Sequence, residues 1–237
     1  MSSEVVPVEV IRQRFQKYDV RNSKDEICPH VLYPHLQRAS VLVPIFSKNG
    51  RWHVLLTIRS GMLRVHTGNV AFPGGLRDQS DVDEVDTALR EAEEEIGLSR
   101  HDVTVLAVFQ HTFVLPRYIV SPVIGVIPDN FVAKPNPNEI SSVFDLPLDT
   151  FFNKADKQLW VGFGVEGFTP LFRCFVNDIK IHVWGFTAVT CLLAACVTYD
   201  VGRKAALEEG SFGIVDDVFA ELRFSFHHYS QNIKSRM

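Results

Sequence analysis

A run of acidic side chains near the middle of the chain is the feature best suited to chemistry. It lies in the segment 90–98, which reads Arg-Glu-Ala-Glu-Glu-Glu-Ile-Gly-Leu. If this segment is helical, with about 100° between successive residues, Glu91, Glu94 and Glu95 share one face. The adjacent face carries small and apolar side chains suited to burial: Ala88, Leu89, Ala92 and Ile96.

Like charges on one face destabilise an isolated helix by roughly 0.2–0.5 kcal/mol per pair, and near the C-terminal end they also oppose the helix dipole. A hard dication would neutralise them, and Mg²⁺ or Mn²⁺ prefers carboxylate oxygens. The alternative is a solvated acidic face. The metal is favoured by the preceding Phe-Pro-Gly-Gly, since Gly74 and Gly75 would let backbone amides approach a phosphate.

The segment from Gly75 to Leu98 resembles the signature of the Nudix hydrolases. That signature is a glycine, five residues, a glutamate, seven residues, and then Arg-Glu-apolar-x-Glu-Glu-x-Gly-apolar, and residues 90–98 match its second half throughout. The chain departs from the first half twice, because Asp81 stands at the glutamate position and the following loop is one residue longer. These departures leave the role of Asp81 open.

Other segments resemble the coenzyme A diphosphatases of this family. The motif that precedes the signature in those enzymes has its counterpart in Leu55–Ser60, Arg64, Gly68 and Phe72–Gly75. Later segments agree as well, namely Asn138–Ile140, Phe144–Leu148 and Trp184–Ala188. The resemblance extends over residues 40–200, which is most of the chain.

The resemblance implies an α/β fold, the Nudix α/β/α sandwich, with a mixed β-sheet between helices and the signature as a loop-helix-loop. It also implies Mg²⁺- or Mn²⁺-dependent hydrolysis of the diphosphate of coenzyme A or its thioesters, giving adenosine 3′,5′-bisphosphate and 4′-phosphopantetheine or its acyl form. One alternative is a Nudix hydrolase of another nucleoside diphosphate, such as ADP-ribose or a dinucleoside polyphosphate. Another is a Nudix domain that binds a nucleotide without turnover, which the presence of all three signature glutamates disfavours.

These expectations assign a role to each candidate site residue. Glu91 and Glu95, one turn apart, are the expected principal metal ligands, and Glu94 is a further ligand or orients water. Arg90 lies off their face and belongs to the catalytic set because the resemblance implies that it holds a carboxylate in place. The spacing identifies no general base, so Glu94 and Glu139 both remain candidates.

Glu139 has two interpretations. The Pro-Asn-Pro-Asn loop at 135–138 could bring it over the metal, or Glu139 could be the first residue of a helix, stabilised there by the helix dipole. For the phosphates of coenzyme A we expect contacts from Arg59 and Arg64, because the guanidinium fork suits phosphate and the chain as a whole is acidic. Each of these arginines could equally be an ordinary surface residue.

The elements that position these residues follow from apolar spacing and turn signals. Two strands joined by a hairpin at 48–50 and a helix ended by Gly97 surround the glycine loop, and a second hairpin turns at Asn177-Asp178. The predicted helices cover residues 7–18, 85–96, a stretch after 184, and 214–226, and the predicted strands cover 40–46, 52–59, 70–72, 103–115, 120–127, 172–176 and 179–184. As domains we expect an N-terminal helical extension at 1–37 packed on a Nudix domain at 38–234.

The composition fits this interpretation. The chain has 237 residues, of which 46% are hydrophobic and 22% charged, with a formal net charge of −4, so a globular domain is expected and a general nucleic-acid binder is not. Four cysteines without Cys-x-x-Cys pairing indicate free thiols of a reducing compartment. The apolar run 183–199 is shorter than the roughly 20 residues of a membrane span and predicts a buried helix.

The last three residues, Ser235-Arg236-Met237, are a conservative variant of the Ser-Lys-Leu peroxisomal address. The chain also resembles the animal peroxisomal coenzyme A diphosphatases in length, motif order and tail. We therefore expect a peroxisomal protein with two partners: a small-molecule substrate, and the peroxisomal import receptor through residues 235–237.

Overall fold

The computed structural model describes residues 5–22, 33–60, 69–114, 117–153, 155–162 and 165–201. Three predicted features lie outside the described residues: Arg64, the helix at 214–226 and the tripeptide 235–237. The helices in the described ranges are α1 (Val8–Gln16), α2 (Glu84–Ile96) and α3 (Gly185–Tyr199). The strands there are β1 (Gln37–Lys48), β2 (Arg51–Arg59), β3 (Val70–Ala71), β4 (Gly74–Leu76), β5 (Thr104–Val108), β6 (Thr112–Val114), β7 (Tyr118–Val126), β8 (Ile140–Pro147), β9 (Asp156–Gly162), β10 (Val165–Val176) and β11 (Ile179–Trp184).

Strand β1 is the centre of a mixed sheet. It pairs antiparallel with β2 and parallel with β7, in the order β3-β2-β1-β7-β5. Three further strands pair with members of this sheet, β4 with β1, β6 with β7 and β8 with β2. The register places Ser40 of β1 beside Gly75 of β4. Strands β9, β10 and β11 form a separate antiparallel sheet.

Alternate side chains of β1 pack in opposite directions, because successive residues of a strand point to opposite faces. Leu42 lies in one apolar cluster with Ala88, Ala92 and Ile96 of α2. Val43 lies in the other cluster, which includes the buried apolar residues of α1 and α3. The sheet is thus covered by helices on both faces, and the predicted α/β/α sandwich is confirmed.

Helix α2, which carries the acidic run, has clear signals at both ends. The Asp83 side chain accepts a hydrogen bond from the Asp86 N–H at 2.8 Å and caps the first turn. Gly97 ends the helix with φ +70°, a left-handed conformation that glycine adopts without strain. The predicted helix, its end at Gly97 and both predicted hairpins, at Asn49-Gly50 and Asn177-Asp178, are confirmed.

Two predicted elements are wrong. The single strand expected over 103–115 is interrupted between β5 and β6, because the position opposite Phe109 is Pro122, which has no N–H for the ladder. The helix expected to begin at Glu139 does not form, and residues 137–139 are a turn that leads into β8. Strand pairing explains this second difference, since β8 runs antiparallel to β2 from Ile140 onward.

The apolar run 183–199 forms the end of β11 and the whole of α3. Most of α3 is buried, as predicted. Within the described ranges, no helix combines the length and apolarity needed to cross a membrane. Cys174, Cys191 and Cys196 are free and buried, while Cys28 lies outside those ranges.

Candidate active site

The two glycines of β4 lie at close approaches that a side chain would block. A Cβ on Gly74 would lie 2.6 Å from the Cα of Val41, on the neighbouring strand β1. A Cβ on Gly75 would lie 2.5 Å from the carboxyl carbon of Glu91. Gly74 therefore lets β4 pack closely against β1, and Gly75 leaves room for the Glu91 carboxylate of α2. Their predicted contact with substrate stays a prediction.

Glu95 is a buried carboxylate, with only 1% of the residue exposed. Its Oε2 accepts a hydrogen bond from the Gly74 N–H at 3.0 Å, and its Oε1 lies 3.6 Å from Nη1 of Arg59. Burial is the largest of the effects that raise the pKa of Glu95 to about 7; the Gly74 amide and Arg59 oppose it, and the negative charges of Glu91 and Glu139 add to it. Glu95 thus lies where additional positive charge is favourable.

Arg90 acts as a clamp on the surrounding carboxylates. Its Nε and Nη2 donate to the two carboxylate oxygens of Asp81 at 2.8 and 2.9 Å, and Nη2 also donates to the Leu76 carbonyl. Its Nη1 donates to Glu91 at 2.9 Å and to Glu94 at 3.2 Å. The Cα of Arg90 lies outside the acidic face of α2, but its guanidinium extends to that face and bonds the carboxylates there. This agrees with the expectation that Arg90 holds a carboxylate in place.

Asp81, whose role the sequence left open, is the anchor of that clamp. It is buried, and besides Arg90 it accepts a hydrogen bond from the Asp78 N–H at 2.8 Å. The bidentate bond from Arg90 holds the pKa of Asp81 well below its usual range. An aspartate with a longer loop therefore serves to fix Arg90, and through Arg90 it fixes Glu91.

Glu91 and Glu94 differ in their surroundings. The Glu91 side chain is mostly buried, and burial raises its pKa against the opposing effect of Arg90, with Glu94 and Glu139 raising it further. The Glu94 side chain is 55% exposed and bonded to Arg90. The structure therefore brings Glu91 next to Glu95 inside the site and leaves Glu94 at its rim. The predicted role of Glu94 as ligand or water-orienting group stays a prediction.

The turn before β8 brings Glu139 to the same site. The carbonyl of Glu139 accepts from the Ser60 N–H at 2.7 Å, which ties it to the end of β2. Its negative charge raises the pKa of both Glu91 and Glu95, and its turn is bonded to the Glu95 carbonyl through the Asn136 N–H, so Glu139 lies near this end of α2. The interpretation of Glu139 as a helix N-terminal residue is wrong, and its interpretation as a carboxylate over the site agrees with this placement.

Sequence reasoning missed Asn136, which contacts this cluster directly. Its Nδ2 donates to Glu139 Oε1 at 3.2 Å, and its N–H donates to the Glu95 carbonyl at 2.8 Å. The signal for it was the Pro-Asn-Pro run at 135–137, since a residue between two prolines has a restricted backbone.

The donor set fits a hard divalent cation. Among the described His, Cys, Asp and Glu side chains, no group of three already has the geometry of a metal site. Each of the two carboxylates already has an arginine near it, since Arg90 bonds Glu91 and Arg59 lies beside Glu95. The raised pKa values of Glu91 and Glu95 nevertheless mean that added positive charge is favourable beside them, and carboxylate oxygens are the ligands that a small, hard cation prefers.

Comparison with known proteins gives the class of the molecule. The sequence model of the NUDIX domain family matches residues 36–160, and that range contains the glycine loop, α2 and Glu139. The chain belongs to the Nudix family and is a Nudix hydrolase.

Its relatives come from animals, plants and bacteria. It is 42% identical to peroxisomal coenzyme A diphosphatase NUDT7 of Mus musculus over 51% of this chain and 52% of that protein. It is 37% identical to Nudix hydrolase 15, mitochondrial, of Arabidopsis thaliana over 69% of this chain and 59% of that protein. It is 41% identical to the uncharacterized Nudix hydrolase NudL of Pectobacterium atrosepticum over 69% of this chain and 84% of that protein. The matches thus span little more than half the length of the mouse and plant relatives.

Proposed function

We propose that this Nudix hydrolase cleaves the diphosphate bond of coenzyme A and its thioesters. Water adds across the P–O–P linkage, and the products are adenosine 3′,5′-bisphosphate and 4′-phosphopantetheine or its acyl form. The observation that carries the proposal is that the carboxylates of Glu91 and Glu95 lie against the backbone of Gly75 and Gly74, with the charge of Glu139 acting on both. The choice of coenzyme A is supported by the motif at 55–75 and by the name of the mouse relative.

We propose Glu91 and Glu95 as the residues that hold Mg²⁺ or Mn²⁺. When bound, the cation supplies charge neutralisation for the diphosphate and lowers the pKa of a bound water. The Gly74 N–H orients Glu95, and the Arg90 clamp orients Glu91, so both carboxylates are fixed before substrate arrives. Fixed charge of this kind stabilises a transition state without reorganisation.

Glu139 and Glu94 remain the candidates for the group that takes the proton from the attacking water. Glu139 is favoured by its position between β2 and α2, where its charge acts on both proposed ligands. Arg59 is proposed to contact a substrate phosphate from its position beside Glu95. Arg64 is proposed to make a second phosphate contact.

A product assay tests the substrate class. Purified protein with Mg²⁺, and separately with Mn²⁺, is incubated in parallel with coenzyme A, ADP-ribose and a diadenosine polyphosphate, and the products are identified by mass. We expect adenosine 3′,5′-bisphosphate and phosphopantetheine from coenzyme A, with little turnover of the others. AMP from ADP-ribose alone would contradict the choice of coenzyme A, and absence of all turnover would indicate a binding domain.

The metal assignment is tested by Glu95→Gln, with Glu93→Gln as the matched control. Glu93 lies on the same helix, but its side chain is half-exposed and its carboxylate is 3.8 Å from Arg100. Charge stabilisation of several kcal/mol corresponds to about 10²- to 10³-fold in rate, so we expect Glu95→Gln to lose at least about 100-fold in kcat/KM. Glu93→Gln should retain wild-type activity. Near-normal turnover by Glu95→Gln would contradict the assignment.

We propose the peroxisome as the compartment and its import receptor as a partner. The support is the tripeptide 235–237 and the name of the mouse relative, although the plant relatives are named mitochondrial and chloroplastic. A fluorescent protein fused to the N-terminus, with and without residues 235–237, tests this by imaging. Peroxisomal fluorescence that persists without the tripeptide would contradict its role.

A further inference from the structure

Asn136 joins two parts of the candidate site that come from distant segments of the chain. Its side-chain Nδ2 donates to Oε1 of Glu139 at 3.2 Å. Its backbone N–H donates at 2.8 Å to the carbonyl of Glu95, in the last turn of α2. The carbonyls of that turn have no partner within the helix, so a bond from outside the helix fixes the helix end. One residue therefore contacts both a proposed metal ligand and the carboxylate opposite it.

Most of the restraints on the backbone around Asn136 do not involve its side chain, whose Oδ1 adds one bond from the Asn138 N–H at 3.2 Å. Pro135 and Pro137 restrict the dihedral angles on either side. The Asn136 carbonyl accepts from the N–H groups of Glu139 and Ile140, at 3.0 and 2.8 Å, which closes the turn. The Nδ2 donor is thus presented to Glu139 by a loop whose shape the prolines and the turn determine.

This arrangement removes one source of freedom from Glu139. A glutamate at a surface turn samples several rotamers, whereas a hydrogen bond to one carboxylate oxygen selects among them. The other oxygen, Oε2, then keeps its lone pairs for water or a cation. Because the loop is bonded to α2, any movement of the helix end moves Glu139 with it.

We infer that Asn136 is a positioning residue that holds the Glu139 carboxylate at a set distance from Glu95, and so acts on hydrolysis only through Glu139. This inference rests on the proposed function for its rate effect. The hydrogen-bond geometry also predicts an effect on cation binding, which can be measured without turnover.

The test is a double-mutant cycle of Asn136→Ala and Glu139→Gln, with Asn138→Ala as the matched control. Asn138 lies in the same turn, and its bond within the described residues is made by its backbone N–H, to Oδ1 of Asn136. Loss of such a supporting partner typically reduces metal affinity or activity 10- to 100-fold. We expect Asn136→Ala to lower kcat for coenzyme A by about 10-fold with KM nearly unchanged, and Asn138→Ala to match the wild type.

The decisive comparison is made in the Glu139→Gln background. If Asn136 acts through Glu139, Asn136→Ala should change kcat there by less than about twofold, the usual limit of independent additivity. An equal loss in both backgrounds would overturn the inference, because Asn136 would then act through α2 or through general stability. Behaviour of Asn136→Ala like that of Asn138→Ala would also overturn it.

The same cycle is run on Mn²⁺ affinity, measured from the paramagnetic resonance signal of free Mn²⁺ without nucleotide. We expect Asn136→Ala to raise the Kd for Mn²⁺ about tenfold in the wild-type background and by less than about twofold beside Glu139→Gln. If coenzyme A is not a substrate, the proposed function fails, while the Mn²⁺ cycle still decides the role of Asn136. Should Asn136→Ala fail to fold, Asn136→Ser keeps a side-chain oxygen that can accept from the Asn138 N–H, adds no charge, has a shorter side chain than the amide that bonds Glu139, and is expected to give the same losses.

Discussion

Alanine substitution at the two glycines of β4 should separate the site from the fold. In Gly75→Ala, the new methyl group would lie 2.5 Å from the Glu91 carboxyl carbon, about 1 Å inside the usual contact distance of about 3.5 Å. Glu91 is flexible at that end and can retreat. The retreat breaks its 2.9 Å bond from Arg90, a loss of about 1 kcal/mol, and moves a proposed metal ligand.

Stability should change little in Gly75→Ala. Gly75 is absent from the residues with positive φ, so alanine fits its backbone. The smaller conformational entropy of the unfolded chain then contributes about 0.4–1 kcal/mol in favour of the variant, which offsets most of the lost bond. We expect the melting temperature of Gly75→Ala to fall by less than about 4 °C.

Gly74→Ala has the opposite profile. Its methyl group would meet the backbone of β1 near Val41, where β1 lies between β4 and β7 and has no room to move away. Overpacking of this kind typically costs 1–3 kcal/mol, and we expect about 3 kcal/mol for a contact with backbone. At about 2–4 °C per kcal/mol, the melting temperature should fall by roughly 6–12 °C.

Thermal melts and Mn²⁺ titrations of both variants test this reasoning. We expect Gly75→Ala to weaken Mn²⁺ binding by about tenfold while remaining stable, because a ligand is displaced without damage to the core. A Gly75→Ala protein with wild-type Mn²⁺ affinity, or one that melts below Gly74→Ala, would refute the assignment of the clash to Glu91.

Two further outcomes are expected. Arg59→Ala and Arg64→Ala should each raise KM for coenzyme A by about tenfold in steady-state kinetics, because each variant loses a charged contact with a substrate phosphate. Arg51→Ala, at the other end of β2, is the control. An unchanged KM would contradict the proposed phosphate contact of that arginine. Asp81→Asn should destabilise the protein by about 2 kcal/mol at pH 7, because the pKa of Asp81 is lowered by Arg90 and its ionised form therefore stabilises the folded state. The difference in the free energy of unfolding between the wild type and Asp81→Asn, measured by denaturant unfolding, should narrow as the pH falls below about 4, where the carboxyl of the unfolded chain takes up a proton. A difference that stays constant down to about pH 2 would contradict this role of Asp81.

Local signals predicted α2 and its surroundings well. The acidic run, the apolar stripe and Gly97 depend on residues within one or two turns of each other, so helix periodicity and capping rules identify them without tertiary information. The hairpin at Asn49-Gly50 is local for the same reason, since both residues adopt positive φ. The order of motifs along the chain was sufficient to indicate the Nudix family.

Prediction failed where a distant segment determines the structure. The interruption before β6 depends on Pro122 in another strand, and the turn at Glu139 forms because β8 pairs with β2. A turn or helix-start signal depends on neighbouring residues and does not reveal which strand will pair with the segment. The secondary structure at these two places is therefore set by the pairing strand.

The residues that can do the chemistry are recognisable in the sequence alone: the glutamates of α2, the glycines before it and Arg90. Their partners and their surroundings depend on how the chain folds. Folding buries Glu95 against Gly74, turns Asp81 into the anchor of Arg90, and brings Glu139 and Asn136 from a distant segment of the chain to the end of α2. The physical reason is that burial, charge and hydrogen-bond partners depend on distances in space, and those distances exist only after the sheet has assembled.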